Sequence, residues 1–154
     1  SRSFLRPGKH GRKVQKRKLK SRRPKASQFF MKRWLLLGTL LFFLLIVAII
    51  IAADADQFPD FIKRLYQFPG GDKAGHFILF GILSFLLNES ALTLLPKPNP
   101  ARLTLAISLL LAILIGLEEW SQALFPARTM SLTDLLASYT GVTLFALLAY
   151  WTGH

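Results

Sequence analysis

The chain has no cysteine, so it holds neither structural disulfides nor thiolate metal sites. Paired histidines at metal-ligand spacing are missing too, and no serine sits in a nucleophile elbow. The short "PGGDK" at 69–73 is far from a glycine-rich phosphate cradle. These absences remove the usual signatures of zinc hydrolases, serine hydrolases and nucleotide-binding enzymes. They do not remove acid–base chemistry, which needs only positioned carboxylates and an imidazole. Acid is absent from residues 1–33, which hold fourteen of the twenty Lys and Arg residues. From Trp34 onward there are 6 basic and 8 acidic residues, so the net charge of +12 describes one segment and not the remainder.

What is present is apolar length. Of 154 residues, 52% are hydrophobic, arranged in unbroken stretches near the ~20 residues that span a bilayer. The sequence therefore predicts an all-α, polytopic membrane protein with four transmembrane helices in residues 34–154, preceded by a disordered basic tail over 1–33. The first span runs from Trp34 to about Ala53. The following "ADAD" offers a small-residue cleavage pattern, but an apolar core of nearly 20 residues exceeds that of a signal peptide and reads as an uncleaved helix. The second span runs from about Ala74 to Leu95, interrupted by Asn88 and Glu89 and stopped by "PKPNP", whose prolines remove donors and fix the backbone. A third covers about Arg102 to Phe125, ending at Pro126, and a fourth about Leu132 to Trp151.

The basic segment has several readings. It is a topogenic flank attracted to anionic lipid, or an arm for a partner protein or for phosphates. Alternatively it precedes the natural start, since Met31 opens "MKRWLLLGTLL", a membrane-protein N-terminus by itself. A nucleic-acid partner is not expected; membrane lipids are, and a membrane-complex partner is an alternative. Positive-inside bias places the N-terminus, and with four spans the C-terminus, in the cytoplasm.

That topology brings the start of the second span, the end of the third and the start of the fourth to one outer side. Asp72, Lys73 and His76, then Glu118, Glu119 and Gln122, then Arg128, Asp134 and Ser138 fall there together. Asp72 and His76 are four apart and share a helix face, as do Glu118 and Gln122. Asp134, Ser138 and Gly141 form a third stripe, where the small Gly141 and Ala137 allow another helix to approach closely. Ionisable groups at such depth need partners or water, which points to a shared polar pocket. Each residue also has a plain structural role. Asp72 suits a helix N-terminus, Lys73 snorkels, and "SLTD" (131–134) matches a capping box. Adjacent Glu118 and Glu119 cannot both point the same way. Chemically, Lys73, Arg128 and a protonated His76 suit phosphate at a helix N-terminus. His76 with Glu119 suits acid–base work, with Asp134 as orienter, and His76, Glu118 and Asp134 form a weak candidate metal set. No metal or other cofactor is expected.

"DKAGHFILFGILSFLL" followed by "EEWSQALFPARTMSLTDLLASYTG" resembles the VanZ-like family of small bacterial membrane proteins. The family pattern Asp-Lys-x-x-His-Phe, Glu-x-x-Gln, Arg and Asp-x-x-x-Asn-x-x-Gly falls here on Asp72, Lys73, His76 and Phe77; Glu119 and Gln122; Arg128; and Asp134, Ser138 and Gly141. Ser138 replaces the usual asparagine, with a shorter reach and fewer donors. The resemblance covers about residues 34–151 and implies a four-helix protein of the bacterial cell envelope, in the cytoplasmic membrane. It also implies an association with antibiotic resistance, toward the glycopeptide teicoplanin. Three functions follow as expectations: binding of an anionic lipid or cell-wall component in the outer pocket; service as an accessory subunit of a membrane complex; and hydrolysis or transfer on a lipid phosphate. The sequence does not decide between binding and catalysis.

Overall fold

The computed structural model describes residues 25–55, 57–60, 63–64, 68–95, 99–125 and 130–153. Among them the chain is helical, with no strand. Helix α1 spans Lys25–Asp54, α2 Gly71–Leu94, α3 Pro100–Ser121 and α4 Leu132–Thr152, and a single 3-10 turn, Gln122–Leu124, extends α3. All four are long and apolar enough to cross a membrane.

The helices begin and end for identifiable reasons. Gly70 adopts a left-handed conformation (φ 83°) that a side chain would strain, and the chain turns there into α2. At the start of α3, Asn99 accepts a hydrogen bond from the Arg102 amide at 3.1 Å, and Pro100 follows as a first helical residue whose missing N–H costs nothing. Ser131 caps α4 in the same way, its hydroxyl accepting from the Asp134 amide at 3.3 Å. Helix α1 starts nine residues before the apolar run that announces it, so Lys25–Arg33 is helical and not part of a disordered tail. Apolar composition marks where a helix is greasy, while Ala26, Gln28 and Met31 carry helical propensity beyond that limit. Residues 1–24 of the expected tail lie outside the described residues.

Cross-helix contacts fix an up-down-up-down arrangement. His76 meets Ser138, Phe77 meets Gly141, Gly81 meets Phe145 and Glu89 meets Thr152, so α2 and α4 run parallel along their length. Among the described residues they share the largest interface between helices. Glycine makes it possible: a Cβ on Gly141 would overlap the Phe77 carbonyl oxygen and lie 3.1 Å from its carbon. Helix α1 lies antiparallel to α2, joined by a Thr39–Ser90 hydroxyl pair at 2.8 Å. Helix α3 packs antiparallel to both α2 and α4. The core gathers Ile46 of α1, Phe80 and Leu83 of α2, Leu111 and Ile115 of α3, and Val142 of α4. Outward faces keep leucine, isoleucine and phenylalanine exposed along α1 and α3, the reverse of a water-facing helix. The bundle therefore has an acidic end, where α2 and α4 start and α3 stops, and a basic end, where α3 starts and α4 stops.

Candidate functional site

The acidic end holds two polar groups joined by the cap of α4. In the first, α2 supplies Asp72, Lys73 and His76, and α4 supplies Asp134 and Ser138. The Lys73 ammonium bonds the Asp72 carboxylate at 2.9 Å and lies 3.1 Å from Asp134 Oδ1. The second contact is an ion pair without hydrogen-bond alignment, because Oδ1 has no hydrogen-bond partner. Asp72 and Lys73 are about two-fifths exposed (39% and 43%), whereas Asp134 is enclosed at 12%. The lysine thus bridges the surface and a buried carboxylate.

His76 stands one turn deeper. Its Nδ1 lies 3.1 Å from Ser138 Oγ, and that hydroxyl donates its single proton to the Asp134 carbonyl at 2.9 Å. The serine oxygen must then accept from the ring, so Nδ1 carries a proton and Nε2 is the basic position of the neutral form. The His76 ring also packs on Phe80, with centroids 5.7 Å apart. Ser138 is fully buried and reaches both its own helix and α2.

The second group belongs to the end of α3. Gln122 donates to Glu118 at 3.0 Å and to Glu119 at 3.3 Å, so one amide serves both carboxylates. Glu119 is 1% exposed, and its other oxygen accepts from the Ser131 amide at 2.6 Å. This corrects the capping-box expectation in one respect. Ser131 caps α4, but a carboxylate from another helix, and not Asp134, holds the Ser131 amide. Asp134 is left to face Lys73. A carboxylate at that position is favoured by the positive end of the α4 dipole as well as by the hydrogen bond.

The nine residues expected at this end are therefore mostly brought together. Asp72, Lys73, His76, Asp134 and Ser138 form one linked group, and Glu118, Glu119 and Gln122 form another. Ser131, which composition alone marked only as a cap, joins the two through Asp134 N and Glu119. Arg128 lies outside the described residues. The suggested pairing of His76 with Glu119 does not form: each is bonded elsewhere, His76 to Ser138 and Glu119 to Gln122 and Ser131. His76, Glu118 and Asp134 do not converge as a metal set, and among the described residues no three His, Asp or Glu side chains could hold an ion.

The described groups comprise four carboxylates and one ammonium. Glu119 already occupies the N-terminus of α4, and Asp134 already compensates Lys73. Of the two carboxylates that Lys73 meets, Asp72 is the exposed one and Asp134 the enclosed one. No family model matches the chain, and comparison with curated proteins and with solved structures finds no match.

Proposed function

We propose that this chain is a multi-pass protein of the bacterial cytoplasmic membrane, VanZ-like, with both termini in the cytoplasm. Its acidic end faces outward and receives an anionic lipid headgroup or cell-wall component, with teicoplanin tolerance as the associated phenotype. The length and apolar character of four helices support the bilayer placement, and the dense Lys and Arg before Trp34 support the orientation.

The observation that carries the ligand reading is the position of Lys73. Its ammonium is shared between an exposed and a buried carboxylate. The pair with Asp72 is exposed and screened by solvent, so a phosphate or carboxylate from outside replaces Asp72 at little cost. Asp134 keeps the ammonium in place, since moving it would leave a buried charge uncompensated. His76 and Ser138 lie directly beneath, where a hydroxyl or amide of the ligand finds donors and acceptors. The net acidity of the described groups confines the anion to this edge, away from Glu118 and Glu119.

The test is expression in a teicoplanin-susceptible bacterial host. Wild-type protein raises tolerance. Lys73→Ala and His76→Ala each remove the effect while membrane-bound protein stays at wild-type levels, and Asp72→Ala retains it. Wild-type tolerance from both loss variants would refute the pocket, and no tolerance from the wild type itself would refute the link to the glycopeptide.

A further inference from the structure

The basic end carries a second feature, remote from Lys73. A groove of about 530 Å³ runs between α3 and α4, along a wall that extends from Ala101 to Ala112 on one side and from Tyr150 back to Tyr139 on the other. Its volume falls within the ordinary range for small-molecule and lipid pockets. Most of its lining is aliphatic, and exposed leucines form its rim. Five hydroxyls interrupt that pattern, from Thr104, Ser108, Tyr139, Thr143 and Tyr150, and two of them stand apart. Thr104 Oγ1 and Ser108 Oγ are shielded from water and have no hydrogen-bond partner. Elsewhere in these helices hydroxyls find partners: Thr39, Ser138, Thr140, Thr143 and Thr152 each donate to a carbonyl four residues earlier, and Ser84 donates to the Val142 carbonyl of α4. Thr104, only 8% exposed, and Ser108, one turn further, do not. A buried hydroxyl without a partner costs on the order of 1–3 kcal/mol, so this pair calls for an acceptor.

We propose that the groove seats one ester-linked anionic phospholipid of the leaflet at the basic end. This rests on the bilayer placement proposed above, but not on the ligand at Lys73. Eleven residues separate Ala101 from Ala112, or about 16 Å of helix, enough to cross an interface ~6 Å deep and about 10 Å of acyl chain, and so to stay within one leaflet of a hydrocarbon core ~30 Å thick. A helix from a second copy would cross the whole bilayer and would need a groove about twice as long. Depth assigns the parts. Arg102, exposed beside Ala101, sits at headgroup level and supplies the charge for a phosphate. Thr104 and Ser108 lie about 3 and 9 Å further in, bracketing the level of ester carbonyls below an interface ~6 Å deep. A single χ1 rotation turns each hydroxyl into the groove. Beyond them the α3 side of the groove, Leu109 and Ala112, is apolar and suited to an acyl chain.

The full chain is extracted from membranes and given equal amounts of ester-linked phosphatidylglycerol and its ether-linked counterpart, which lacks the carbonyls. Native mass spectrometry then counts retained lipid. Wild-type protein retains one lipid with an ester preference of about tenfold, as two modest hydrogen bonds supply. Thr104→Val with Ser108→Ala, which alters shape little, brings that ratio to one. Ala112→Phe fills the groove and expels the lipid, and Arg102→Gln lowers the preference for phosphatidylglycerol over phosphatidylcholine. A wild-type ester-to-ether ratio of one overturns the proposal, as does full retention by Ala112→Phe, or a dimer in place of a lipid adduct. Recovery of the protein in the soluble fraction would instead overturn the bilayer placement, so the two failures are distinguishable.

Discussion

Gly141→Ala adds one methyl group at the tightest helix crossing and tests the packing account directly. The new Cβ would overlap the Phe77 carbonyl oxygen and stand 3.1 and 3.2 Å from the Phe77 carbonyl carbon and Cα. These are backbone atoms and cannot rotate aside. Carbon–carbon contacts are comfortable at about 3.5–4.0 Å, so α2 must retreat from α4 by about 0.5–1 Å. Overpacking of that kind costs about 1–3 kcal/mol. The retreat also stretches the His76–Ser138 bond of 3.1 Å and the Ser84–Val142 bond of 3.0 Å beyond useful range. At roughly 0.6 kcal/mol for each such interhelical bond, the two together contribute about 1 kcal/mol. The total of about 2–4 kcal/mol corresponds to a Tm fall of about 4–16 °C for a chain of this size. The assay is the monodisperse fraction in detergent after heating, with Gly38→Ala as the internal control. Nothing lies within 4 Å of a Cβ at Gly38, and alanine is the better helix former, so that variant is neutral or slightly stabilising. A Gly141→Ala protein that melts within about 2 °C of wild type would refute the close-crossing account.

Glu119→Ala removes the acceptor for both the Ser131 amide and Gln122, and lowers stability by about 1–3 kcal/mol in the same melting assay, whereas Glu119→Gln, which keeps a carbonyl oxygen, loses less. Thr39→Val and Ser90→Ala break one hydroxyl pair, so a double-mutant cycle returns a coupling of about 0.6 kcal/mol; strict additivity would count against that pair as the link between α1 and α2. Asn88 is fully buried with its side-chain oxygen unbonded, so Asn88→Leu, which removes the orphaned group at similar size, leaves Tm unchanged or raised; a fall of several degrees would point to an undetected partner.

The four helices are legible because apolar length is a direct physical requirement for crossing a bilayer, and their order then sends the polar termini to one end. Helix limits are less legible: α1 begins at Lys25 and not at Trp34, because helical propensity outlasts hydrophobicity. Partner choice within the acidic end is hardly legible at all. Whether Glu119 faces His76 or Ser131 depends on helix rotation, which the near-uniform greasiness of α3 does not set. Gln122 resolves the adjacent glutamates by serving both, a solution that reading one residue per face does not anticipate. Thr104 and Ser108 look like neutral spacers in sequence, since such residues normally satisfy themselves on the preceding turn. Their exception needs coordinates to be seen.

The parallel pairing of α2 with α4 has a consequence for assembly. The contacts that hold His76 and Ser84 come from residues 62 and 58 positions later in the chain. When α2 is first made, only α1, through the Thr39–Ser90 pair, is available to it. His76 and Ser84 must wait for their partners until α3 has turned back and α4 arrives. The last helix made is therefore the one that completes the first polar group, and a chain halted near Ser131 leaves a seam of histidine and serine open, the kind of exposed polarity by which an unfinished protein can be recognised and removed.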